Sequence, residues 1–453
     1  MVSPTLQVFR ARILHFIGDP ATSGDAAREY FEDGLLVVEN GRIRELGPAS
    51  ELLPTLSGTD IQYFPHHLIL PGFIDTHVHY PQTEIIGAWG EQLLSWLNNY
   101  TFPTELKFAD YDYAYGVANT FLSELLRNGT TTALVFATVH PASVDAFFTA
   151  ARERGLRMIA GKVLMDRHAP EGLCDTAESG YRDSRDLIEK WHGVDRLQYA
   201  ITPRFAPTSS DAQLRRAGEL LAEFSDVYLH THLAENHAEI GWVDELFPEE
   251  NTYLEVYRKA GLLSRRSVFA HGIHLQDHDC QHLANTGSAI AHCPTSNLFL
   301  GSGLIELERM REHGIHLGLG TDVGGGTSFS LFRTMDEAYK IQQLRGHSLD
   351  PFQALYMATL GGAVALDLAD TIGSLAPGKE ADFQILNLNA TPLIAMRTQH
   401  CQSLRDLIFV LNTLGDDRLV ERTYALGRCV HHQTPAPSSS SSPLKPLPPG
   451  DSL

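Results

Sequence analysis

Eight short apolar runs fill the middle of the chain, and the stretches between them carry apolar residues at helical spacing. The runs are LILPGFIDTHVH, GTTTALVFAT, LRMIAGKVLM, RLQYAITPRF, DVYLHTHLAE, RSVFAHGIHL, GSAIAHCPTS and IHLGLGTDVG. Connecting stretches such as VDAFFTAARERG and DAQLRRAGELLAEF repeat their apolar positions every three or four residues. Strands that alternate with helices build parallel sheets. Eight such units in series predict an α/β fold closed as a (β/α)8 TIM-like barrel rather than an open sheet. Both chain ends read as strands and turns instead: LQVFRARILHFI, GLLVVENGRIREL and IQYFPHHLIL at the start, TIGSLAPGKEADFQILNL and RTYALGRCVHH near the end. Asn40-Gly41 marks a hairpin turn. The expected organisation is a small β-sandwich built from residues 1–70 and 369–433, a barrel over 71–368, and a disordered Pro/Ser tail over 434–453. Residues 87–104 (GAWGEQLLSWLNNYTFPT) form a long insert after the first barrel strand, expected as a loop over the barrel mouth.

Composition narrows the partners. The 453 residues are 43% apolar, ample for a large core, and carry a net charge of −20. Such a chain repels phosphate backbones and anionic membranes, so a small neutral substrate is expected, and neither nucleic acid nor membrane. Cys174, Cys280, Cys293, Cys401 and Cys429 are odd in number and include no CxxC pair. That argues against a disulfide framework or a thiolate zinc site, and for a reducing cytoplasm. The N-terminus lacks a signal-peptide pattern, and no apolar run approaches the roughly 20 residues of a membrane helix.

The strand ends hold the chemistry. Side chains alternate across a strand, so His77 and His79 point the same way, and at the C-terminal end of a barrel strand that way is into the mouth. The fifth run ends with His230 and His232, the sixth with His271 and His274, the eighth with Asp322. Imidazole and carboxylate donors with an open position suit a catalytic zinc, with iron the second choice. Two metals bridged by a modified lysine would need a lysine ending the fourth run, which ends instead in Arg204 and Phe205; Lys162 falls in the third. Glu235 leaves the fifth strand where a carboxyl can shuttle a proton, or simply serve a helix's first turn. Arg204 with Phe205 could grip and stack a flat polar heterocycle, and the Gln82 amide offers a donor beside an acceptor. His237-Ala238-Glu239 mimics the HxE of cytidine-type deaminases, but its PCxxC partner is missing. His66, His67, His140, His168 and His431 read as structural or exposed.

PGFIDTHVH, the HTHLAE and AHGIHL runs, AHCPTSN, GTDVG and GSLAPGKEADF together resemble the amidohydrolase superfamily over nearly the whole chain outside the tail. More narrowly, HYPQTEIIGAWGEQLLSWLNNYTFPTE, TPRFAPTSS and LFLGSGL resemble its guanine-deaminating branch. The resemblance implies one zinc per subunit held by His77, His79, His232, His271 and Asp322, with His271 facing the water more than the ion, and it implies a homodimer. Glu235 and Asp322 become the catalytic pair. Gln82, Arg204, Phe205, His232 and Glu235 become the contacts to guanine. The implied reaction is hydrolytic deamination of guanine to xanthine and ammonia. The metal lowers a water's pKa from about 15.7 towards 7, Asp322 takes or orients the water's proton, and Glu235 protonates N3 as C2 is attacked. Sister enzymes acting on another aminopurine, a cytosine or a chlorinated triazine would share the ligands but need not have HYPQ or TPRF. An inactive scaffold would typically have lost ligands.

Overall fold

The computed structural model describes residues 6–89 and 92–433; the expected tail, 434–453, lies outside them. The N-terminal strands are β1 (Leu6–Phe16), β2 (Arg28–Glu39), β3 (Arg42–Pro48) and β4 (Ile61–Pro71). Asn40 and Gly41 have φ of 53° and 79°, the positive pair that a tight hairpin requires, and they join the antiparallel β2 and β3.

β4 runs straight into the barrel. Its strands are β5 (Phe73–His79), β6 (Thr130–Phe136), β7 (Arg157–Gly161), the short β8 (Val163–Leu164), β9 (Gln198–Pro203), β10 (Tyr228–Leu233), β11 (Ser267–His271), β12 (Ala289–His292) and β13 (His316–Leu319). They follow one another in parallel from β5 to β13, with β8 set against β9. The run predicted as the third strand is thus split at Lys162, whose buried ammonium bonds Val163 O and Asp175. At the seam, Thr76 Oγ1 donates to Leu319 O and Asp322 N to His77 O, each at 2.9 Å. Gly318 allows that approach, since a Cβ there would lie 2.3 Å from Thr76 Cγ2.

The barrel strands are nearly all buried, which is why they read as continuous apolar runs rather than alternating ones. Ile74, Leu134, Ile159, Ala200 and Val268 fill the interior, and Leu366, Leu368 and Ile372 pack against them beneath the helix Leu360–Ala365.

The chain ends with β14 (Phe383–Asn387), β15 (Val420–Ala425) and β16 (Arg428–His432). Both ends share one mixed sheet in the order β16-β15-β14-β4-β1-β2-β3. A buried ionic clasp ties this sheet to the barrel. Arg157 reaches both Glu380 oxygens at 3.0 and 2.7 Å, and Arg196 reaches Glu380 at 3.0 Å and Asp382 at 2.9 and 2.8 Å. The insert does cover the mouth, but as folded turns rather than an irregular loop: a helix Leu93–Trp96, a wider turn Leu97–Thr101 and a helix Phe102–Glu105. Trp96 and Leu97 pack there with Phe136, Phe205 and Leu300. Among the described residues no helix is long and apolar enough to cross a membrane.

Candidate active site

His77 and His79 leave β5 on the same face. Their Nε2 atoms lie 3.2 Å apart, and His232 Nε2 from the end of β10 lies 3.2 Å from that of His79. Asp322 Oδ1, just past β13, sits 3.1 Å from His77 Nε2 and 3.2 Å from His79 Nε2. A neutral imidazole carries its proton on one nitrogen, so each partner decides which. His232 Nδ1 donates to the Arg204 carbonyl at 2.7 Å and His271 Nδ1 to Asn297 Oδ1 at 2.8 Å, which leaves both Nε2 lone pairs facing inward. His77 Nδ1 is held by His230 Nε2 at 2.7 Å. Burial disfavours the protonated form of three of these rings: it lowers His77, pulls His79 down to about 3 and holds His232 well below its usual range. Burial alone would raise the Asp322 carboxyl; the imidazoles of His77, His79 and His271 around it hold it well below the carboxylate range.

This donor set fits a metal ion. Tetrahedral bonds of about 2.0–2.1 Å put neighbouring donors about 3.3–3.4 Å apart, close to the spacing observed. The ligand atoms of His77, His79, His232 and Asp322 all lie within 4.8 Å of one another. His271 stands slightly apart, its Nε2 3.3 Å from Glu235 Oε2 and 3.7 Å from Asp322 Oδ2. His271 and Asp322 have φ of 70° and 49°, backbone strain of the kind that collects at functional sites. The other strand-end histidines do something else. His230 lies behind His77 against the Phe136 ring, and His274 turns away to pack against the tilted His237 ring and bond Ser302 O.

Above the cradle lies a cavity. Its walls include Gln82, Arg204, Phe205, His232, Glu235 and Trp96, so the structure brings together all the residues expected to meet the substrate. Glu235 is buried, with Ser302 Oγ donating to its Oε1 at 2.9 Å. Burial, with the nearby Asp322 charge, pushes its carboxyl up to about 8. Arg204 is not a surface cation: it is buried, its Nη1 donating to both Glu105 oxygens at 3.0 and 2.9 Å, its guanidinium 5.5 Å from the Phe102 ring centre.

Sequence reasoning passed over several of these groups. Glu105 and Ser302 lie inside motifs quoted above, and Asn297 ends AHCPTSN, but nothing local marks their partners. Glu239 was detectable as the fourth residue of a capping box. With Asn236 it caps the helix His237–Leu246, and its Oε2 accepts from the Glu235 and Asn236 amides at 2.9 and 3.1 Å.

Comparison with known proteins agrees with this geometry. The amidohydrolase family model matches residues 68–430. Guanine deaminase of Escherichia coli (strain K12) is 50% identical over 418 residues, 92% of this chain and 95% of that protein. The solved E. coli guanine deaminase superposes with a TM-score of 0.92 at 49% identity, covering 94% of this chain and all of that one. The C. acetobutylicum guanine deaminase, solved with guanine bound in its active site, gives a TM-score of 0.86 at 30% identity, again over 94% of this chain and all of that one.

Proposed function

The chain belongs to the amidohydrolase family, and from that premise we propose that it hydrolyses guanine to xanthine and ammonia with one zinc ion. The observation that carries the reading is a single cavity with an ion cradle of three imidazoles and a carboxylate at its floor, a proton-holding carboxyl at its side and a buried guanidinium on its wall. Two relatives of high coverage bear the name guanine deaminase, and one was solved with guanine bound. Imidazole and carboxylate donors favour zinc over harder cations. The division of labour we propose is a barrel over 71–368 that does the chemistry and a sheet from 1–70 and 369–433 that supports it.

His77, His79, His232 and Asp322 would hold the ion, with His271 beside them; when bound it supplies Lewis acidity that makes a water nucleophilic at neutral pH. Asp322, held anionic, accepts the proton of the attacking water. Glu235, held protonated at pH 7 by its burial, hands its proton to the guanine ring at N3 as the C2–O bond forms. The proton gathered by Asp322 passes to the exocyclic amine, the C2–N bond breaks and ammonia leaves, and the proton of the C2 hydroxyl returns to Glu235 as the C2=O bond forms, so that guanine and water balance xanthine and ammonia. Arg204 donates to O6, Gln82 meets N1, and Phe205 stacks on the ring. Adenine places an amine where Arg204 offers donors, which leaves buried donors unpaired. The test is ammonia release by the zinc-loaded protein from guanine, adenine and cytosine, with chloride release from a chlorinated triazine. Release from any of the last three with none from guanine would overturn the assignment.

A further inference from the structure

We propose that Glu105, immediately after the insert, is a positioning residue that sets the polarity of the purine-reading pair. It holds the Arg204 guanidinium as the donor and turns the Gln82 amide so that oxygen, not nitrogen, faces the ligand. The inference rests on the guanine reading and adds a residue to it.

The argument starts from what a carboxylate can do. Glu105 is fully buried, and both of its oxygens accept from Arg204 Nη1. The Gln82 side chain also lies close enough to interact with this carboxylate. A carboxylate only accepts, so Gln82 must offer it the amide N–H. Gln82 Oε1 is thereby turned elsewhere. It lies against Gly324, beside Gly325 of the cavity wall, where a Cβ on residue 324 would sit only 1.9 Å from it. The cavity therefore presents a donor from Arg204 next to an acceptor from Gln82. That order matches a lactam, whose carbonyl accepts and whose ring N–H donates. An amidine edge, with an accepting ring nitrogen beside an amine, presents the reverse. Phe102 lies three residues before Glu105 on the same short helix and covers the guanidinium, so this helix grips Arg204 from two sides.

The test uses the full-length, zinc-loaded protein with guanine and with 2,6-diaminopurine, which keeps the C2 amine but carries the amidine edge. Glu105→Gln preserves shape and removes the charge that forbids the flipped amide. The expected result is a KM for guanine raised about 10- to 100-fold with kcat within about 3-fold, and a preference for guanine over diaminopurine reduced by at least about 30-fold. Glu105→Asp, which keeps the charge, should retain the preference. KM and preference both within about 2-fold of wild type in Glu105→Gln would overturn the proposal. Should Glu105→Gln fail to fold, Gln82→Leu decides instead: it removes the acceptor itself, and an unchanged preference there overturns the proposal equally. Wild-type protein that releases no ammonia from guanine would instead sink the substrate assignment, a result separate from either variant's.

Discussion

Changing Glu235 to Gln separates proton delivery from everything else the residue does. The two side chains have the same shape, and Ser302 Oγ can still donate to the amide oxygen. Burial pushes the wild-type carboxyl up to about 8 and so favours its neutral form, which makes the substitution a swap of one buried group for another of the same shape. Fold stability and zinc content should therefore stay near wild type, within about 1 kcal/mol for the fold. The amide cannot give up a proton to the ring, which removes general-acid catalysis worth about 10²- to 10⁴-fold, or ~3–5 kcal/mol of barrier. The assay is steady-state ammonia release alongside metal analysis. The pH profile adds a second reading. The wild-type rate needs the protonated acid, so it falls tenfold per unit above the acid's pKa. A bound cation pulls that pKa down, which places the limb at or below pH 8, and the variant should lack it. Turnover within tenfold of wild type, or an empty metal site, would refute the reasoning.

Arg204→Ala should raise the KM for guanine by about 100-fold and destabilise the fold by about 3–5 kcal/mol, because it strands Glu105 as an unpaired buried carboxylate; an unchanged KM counts against the recognition role. Asn297→Ala leaves His271 Nδ1–H without its acceptor and frees the ring to change tautomer, so zinc affinity measured against a competing chelator should fall about 10-fold or more, and unchanged affinity would dismiss Asn297 as a positioning group. Glu380→Ala leaves Arg157 and Arg196 short of their shared partner, at a cost of about 3–5 kcal/mol in urea unfolding, with guanine turnover at 25 °C unaltered in the fraction that stays folded.

The barrel was legible in the sequence because its strands are buried on both faces and so appear as apolar blocks. The residues proposed to hold the ion were legible because each sits at a strand end, the position a barrel reserves for chemistry. What stayed hidden depends on contacts across long stretches of chain. Glu105 meets Arg204 across 99 positions and Ser302 meets Glu235 across 67, and neither residue carries a local pattern that announces its partner. The insert looked irregular because its helical pieces are only four residues long, too short for periodicity to register. His230 and His274 look equivalent to the ligands in sequence. Only three-dimensional placement separates them, one behind His77 and the other bonded to a carbonyl.

The shared sheet has a consequence for how the chain is born. β4 ends at Pro71, yet the strand that pairs with its open side, β14, begins at Phe383. While the ribosome makes the barrel, the N-terminal strands wait with a bare edge, a template on which another nascent chain could dock. β14 closes that edge late in synthesis, so a premature stop just before it would leave the edge bare although every residue of the proposed reaction centre had already been made.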